Sequence, residues 1–139
     1  MALSRLRLSH KKGRWAAEHG CSAHDSAGVL RVITGLILVM IFGHFLCDYP
    51  LQTDKVALGK CPGSSVAGVP WGYWMAGHCG THALAVALLT GLPWLGVAEF
   101  GAHFIIDLLK CRKTINLAAD QILHLLCKLA WGISVASLA

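Results

Sequence analysis

The chain has 139 residues, 55% of them hydrophobic and only 14% charged, with a mean hydropathy of +0.59. That length suits one domain, and a soluble domain would carry about a quarter charged residues, so the composition argues for lipid rather than a large water-exposed fold. The net charge of +5 is gathered near the start, at Arg5, Arg7, Lys11, Lys12, Arg14 and Arg31; with no aromatic interleaving and no nucleic-acid motif it reads as a basic membrane flank, and nucleic acid is not an expected partner.

Residues 1–28 read as a basic, polar tail with Gly13, Gly20 and Gly28 and no sustained apolar face. Leu3, Leu6 and Leu8 with Arg5 and Arg7 would make only a very short interfacial helix. The first clear span is 29–47, long enough to cross a bilayer core, and Asp48-Tyr49-Pro50 ends it because the residue before a proline leaves the helical region. No small-residue cleavage site follows the apolar run, so a cleaved signal peptide is not expected.

Residues 51–74 read as a loop rich in Gly, Pro and Ser that closes on an interfacial aromatic group, Trp71, Tyr73 and Trp74. A second helix is predicted over 75–90, broken by Gly91-Leu92-Pro93, and a third over 94–109. The basic run Lys110 to Lys113 marks an exit from lipid, and a fourth helix over 117–138 ends the chain. At 1.5 Å per residue the middle pair would be about 23 Å long, short of a bilayer core of about 30 Å, so they would thin the bilayer or form a hairpin that does not fully cross it.

The expected fold is therefore all-α: a polytopic membrane four-helix bundle over 29–139 with short helices and a basic N-terminal tail. A bacterial inner membrane is the expected location, with several passes. Orientation stays open, because Lys55, Lys60, Lys110, Arg112 and Lys113 balance the cations of the tail.

Six cysteines, at 21, 47, 61, 79, 111 and 127, include no C-x-x-C pair, which excludes common zinc and redox motifs. Most read as packing residues; Cys61 and Cys79 flank one loop and are the pair that an oxidising compartment could join.

The ionisable residues inside the apolar runs carry the functional signal. Each predicted helix holds a set spaced by four: His44 and Asp48; His78 and His82; Glu99, His103 and Asp107; Asp120, His124 and Lys128. Spacing of four puts each set on one helix face. The first and third sets close their helices while the second and fourth open theirs, so an antiparallel bundle brings them to one end.

Ionised groups in lipid cost roughly 2.5 kcal/mol or more each, which calls for a compensating role. Imidazole and carboxylate on facing helices suit a divalent cation such as zinc or manganese. His44, Asp48, His82, His103, Asp107, Asp120 and His124 form the expected ligand set. His78 and Glu99 read as isolated packing residues, one near an interface and the other near the far end. A His–Asp proton relay or a structural ion-pair network, which Lys110 and Lys128 would suit, are the rival readings.

The segment from Gly43 to Thr53, with His44, Asp48, Tyr49 and Gln52, resembles a family of small bacterial and phage membrane proteins of unknown function. The resemblance continues in order through His82, through His103, Asp107 and Lys110, and through Asp120, Gln121 and His124, covering about residues 36–130. That family is similar in layout to membrane-bound metal-dependent hydrolases regulated by the DNA-damage response. The resemblance implies attack by an activated water on a phosphoester or acyl bond of a lipid-like substrate. Asp48 or Asp120 would then serve as base, while Gln52, Lys110 and Gln121 would brace the ligands or meet the substrate. The alternative is a non-enzymatic protein: a proton or metal carrier, or a phage-encoded modulator of a host membrane complex. The lipid bilayer, a second copy of the chain or a host membrane protein are the expected partners.

Overall fold

The computed structural model describes residues 26–138, so most of the expected tail lies outside the described residues. Helix α1 runs over Ser26–Asp48 and takes in the last three residues assigned to that tail. It closes as expected at Pro50, where the Tyr49 and Leu51 amides donate back to the carbonyls of Phe45 and Leu46 at 3.1 Å.

The stretch expected to be a plain loop is structured. Helix α2 (Asp54–Gly59) starts at Thr53, whose hydroxyl accepts from the Val56 amide, and Asp54 in its first turn faces the positive end of the helix dipole. A small hairpin pairs β1 (Ser65–Val66) with β2 (Val69–Pro70). Its two turn residues, Ala67 and Gly68, both have positive φ, 53° and 74°, as a tight primed turn requires.

Helix α3 (Trp71–Thr90) begins earlier than predicted, because Pro70 leaves the hairpin in extended conformation and the aromatic cluster forms the first turn of the helix. Gly91 ends it in the left-handed conformation, and Pro93 opens α4 (Pro93–Cys111), where its missing N–H costs nothing. Asn116 caps α5 (Leu117–Ala136) by accepting from the Ala119 amide at 2.9 Å. With 20 and 19 residues, α3 and α4 are about 30 and 28 Å long, so the middle pair is not short.

The long helices run up and down. α3 and α4 form a tight hairpin that depends on Gly96: a Cβ there would meet the Ala83 carbonyl oxygen at 2.7 Å and the Ala87 methyl at 2.8 Å. At Gly132, α5 approaches α1 so closely that any Cβ would strike Ile37. α2 lies across the cluster end, with Gly59 on the Trp74 ring. Cys61 beyond it is disulfide-bonded to Cys111 at the end of α4. The pairing of Cys61 with Cys79 is thus corrected: Cys79 shares the inward face of α3 with Met75 and His82, is fully buried, and stays free.

Polarity is turned inward. Among the described residues the buried side chains include ten polar or charged ones, among them His44, His103, Asp120 and Lys128, against seven apolar ones. Large apolar side chains cover the outside: Leu88 and Val97 are each 74% exposed, Phe42 69% and Ile133 66%. Among the described residues, α1 is the one helix long and apolar enough to cross a membrane. The other long helices carry most of the acids, histidines and lysines of the interior, with His44 and Asp48 on α1 and Lys60 just past α2.

Candidate metal centre

Four helices deliver the cluster. α1 brings His44 and Asp48 from its last turns, and α3 brings His78 and His82 from its first half. α4 contributes Glu99, His103 and Asp107, and α5 contributes Asp120, His124 and Lys128. Antiparallel packing sets the His–Asp pairs at one depth, with His103 at the centre. Its ring lies against those of His82 and His124, with centroids 3.7 and 4.0 Å away.

Three overlapping groups have ligand atoms within 4.8 Å of one another: Asp48, His78, His82 and His103; His44, His103 and His124; and Asp107, Asp120 and His124. The first is the most regular. Asp48 Oδ1 lies 3.3, 3.1 and 3.9 Å from Nε2 of His78, His82 and His103, and the two Nε2 atoms of His78 and His103 are 3.2 Å apart. Ligands 2.0–2.1 Å from a tetrahedral zinc ion stand about 3.3 Å from each other, which three of these four separations match while the Asp48–His103 one is longer. The expected ligands therefore gather as anticipated, and His78, read as a packing residue, joins them.

Hydrogen bonding separates the atoms that brace the cluster from those that remain open. Gln121 Nε2 donates to Asp48 Oδ2 at 2.9 Å and to Asp120 Oδ2 at 3.1 Å. Lys110 holds Asp120 Oδ2 at 2.9 Å, and Lys60 holds Asp107 Oδ2 at 2.7 Å while also reaching Gln52 Oε1 at 3.3 Å. One turn deeper, Glu99 meets His103 Nδ1 at 3.2 Å, Lys128 at 2.5 Å and Trp131 Nε1 at 2.7 Å. Glu99 is thus part of the cluster rather than an isolated residue at the far end.

The open atoms are Trp74 Nε1, Gln121 Oε1 and, among the expected ligands, Asp48 Oδ1, Asp120 Oδ1, His82 Nε2, and both ring nitrogens of His44 and His124. Asp48 Oδ1 still has His78 and His82 as ion-pair neighbours at 3.3 and 3.1 Å, and Asp120 Oδ1 has His124 at 3.7 Å. Buried polar atoms without partners cost about 1–3 kcal/mol each, and native folds keep few of them. Here those of the expected ligands are grouped, and as nitrogen and carboxylate donors they fit a borderline divalent cation. Charge agrees. Asp48, Glu99, Asp107 and Asp120 outnumber Lys60, Lys110 and Lys128 by one, so with neutral histidines the cluster carries a net negative charge.

Lys60 was missed by sequence reasoning, since it stands in an irregular segment with no periodicity to mark it. His78 and Glu99 did carry a signal, because each is four residues before a histidine of the set.

A family profile matches residues 36–138, a span that takes in the whole cluster. The chain belongs to DUF3307, a family of proteins of unknown function. No curated protein and no solved structure matches it. The DUF3307 region begins inside α1 and contains each of the open donor atoms.

Proposed function

We propose that this DUF3307 protein is an integral membrane metalloprotein whose four long helices span the bilayer, and that it hydrolyses a lipid or phosphoester substrate at the His/Asp cluster. The inverted polarity supports the membrane part: α3, α4 and α5 carry large exposed apolar side chains outward, and their buried charges lie inside. The grouped open donors carry the metal part.

Asp48, His78, His82 and His103 would hold the first ion, and Asp107, Asp120 and His124, with His44 beside them, offer a second position. A divalent ion that takes up a water as a fifth ligand there would supply Lewis acidity and an activated water. The protein does the rest. Gln121 fixes the carboxylates of Asp48 and Asp120, so with the first ion alone bound Asp120 Oδ1 would be the atom to take a proton. Glu99 holds His103 by Nδ1, so that Nε2 is the atom presented to the cluster.

A carrier would need a polar route out at both ends. Among the described residues, no buried polar side chain lies beyond Glu99 and Lys128 toward the Gly91 end of the bundle. That blind end favours a closed reaction site over a proton or metal path.

Elemental analysis of the detergent-purified protein is the test. One or two equivalents of zinc or manganese are expected. His103→Ala, which removes a ligand of the first ion, should lose that ion, whereas His124→Ala should spare it. A folded wild type that takes up no metal after loading would overturn the proposal.

A further inference from the structure

Two hollows meet beside the cluster. One, of about 350 Å³, lies under α2 and the hairpin, between Val56, Val69 and Trp74, and has His78 in its wall. The other, of about 790 Å³, is a groove along the outer junction of α1 and α3, flanked by Phe42, Gly43, Leu84, Ala85 and Leu88. Cys47, Leu51 and Thr81 line both, so the two lie on either side of these three residues.

Their chemistry differs along the length. Apart from Thr81 and Cys47, the groove is lined only by apolar residues and glycine, and the Thr81 hydroxyl is spent on the His78 carbonyl at 2.7 Å. Its rims are exposed, with Leu84 at 60% and Phe42 at 69%. Gly43 and Ala85 keep the floor low. The inner hollow ends at a ligand histidine, and its size lies at the small end of ligand sites.

We propose that this cleft binds a single-chain amphiphile, its alkyl or acyl chain in the α1–α3 groove and its anionic head in the hollow at His78. The proposal rests on the metal reading and names the substrate class of that site. Adjacency carries it: a helix of a partner protein would cover the groove alone, whereas a chain with a small head, bending past Cys47, Leu51 and Thr81, would occupy both. The sign of the head follows from charge. One divalent ion turns the net single negative charge of the cluster into a net single positive charge, which a buried site must balance with an anion. Because lipid tails are as apolar as the groove, the groove adds little hydrophobic gain. Its role is to hold the head beside the metal, a gain in proximity.

The test uses the zinc-loaded full chain in detergent and dodecyl phosphate carrying a diazirine near the chain end. Labelling is expected on Phe42 to Leu46 and Leu84 to Leu89. It should be competed by unlabelled dodecyl phosphate, and not by inorganic phosphate or dodecanol at the same concentration. Ala85→Phe should lower the labelling about tenfold, the scale of one overpacked side chain. Gly43→Leu, whose first added carbon meets only Leu89 at 3.8 Å, guards against misfolding. Ile122→Phe, on the exposed face of α5, should leave it unchanged.

Labelling spread evenly over the apolar surface, or unaffected by Ala85→Phe and Gly43→Leu, would overturn the groove. Equal competition by inorganic phosphate would reduce the site to a free-phosphate pocket and overturn the amphiphile. Zinc measured on the same samples keeps the two proposals apart. In the wild type, no labelling with zinc bound sinks the groove alone, whereas no zinc bound with labelling retained sinks the metal centre and the charge argument for the head.

Discussion

Glu99 and Lys128 form the deepest ion pair of the cluster, both almost fully buried and 2.5 Å apart. Removing one member of such a pair strands the other, at about 3–5 kcal/mol, whereas replacing both with neutral side chains is close to harmless. Lys128→Met is therefore expected to destabilise the detergent-solubilised protein by roughly 3 kcal/mol, and Glu99→Gln with Lys128→Met to recover most of it. Unfolding titrations of the three proteins check this, and a double variant as weak as Lys128→Met would refute it. At this scale the sequence is most legible. Spacing by four on successive helices is enough to pick out His44, His82, His103 and His124 with their aspartates. Weighing His78 and Glu99 by their depth rather than by the same spacing hides their part. Lys60 has no such spacing to betray it, because only the fold of α2 carries it to Asp107.

Two glycines on α4 separate packing from propensity. Gly96 touches Ala83 and Ala87 of α3, while a Cβ on Gly101 would meet open space. Gly96→Ala should cost about 1–3 kcal/mol through forced separation of the hairpin. Gly101→Ala should gain up to about 1 kcal/mol, since glycine is the poorer helix former. Thermal unfolding of both, side by side, decides it: equal shifts would mean that the α3–α4 contact is not the constraint described. The helix breaks at Pro50 and at Gly91 to Pro93 are readable from local chemistry. The early start of α3 and the fold of residues 54–70 are not, because α2 and the hairpin are held by Trp74 and by the Cys61–Cys111 bond, contacts between residues distant in sequence.

Over the whole molecule, a core with more buried polar than apolar side chains owes its cohesion to the charges being matched. Stripping a cation from the cluster restores the excess negative charge and reopens the donors. Metal removal by a chelator should therefore lower the melting temperature, with zinc at a hundredfold excess over its Kd restoring about 2.7 kcal/mol. An unchanged melting curve in a sample shown to have lost its metal would contradict that. The all-α architecture follows directly from hydropathy, but which side of each helix faces inward comes from the polar residues alone.

The Cys61–Cys111 bond bears on which compartment the cluster addresses. Structural disulfides persist where no thiol pool reduces them, outside the cytosol. The bond lies at the end where Lys60 enters the cluster; on the proposed membrane reading that end would look outward, and the cytosol would meet the end where α1 begins. The cation count that left sidedness undecided shifts the same way, because Lys60 and Lys110 are engaged by Asp107 and Asp120, while Arg5 to Arg14 precede α1 in the sequence. In intact cells, an impermeant reductant followed by an impermeant maleimide should tag Cys61 and Cys111, and tagging only after the cells are opened would reverse the assignment. A substrate would then be met by the metal in the outer leaflet, beyond the reach of cytosolic nucleotides and of the glutathione that would cut the chain's one covalent tie among its described residues.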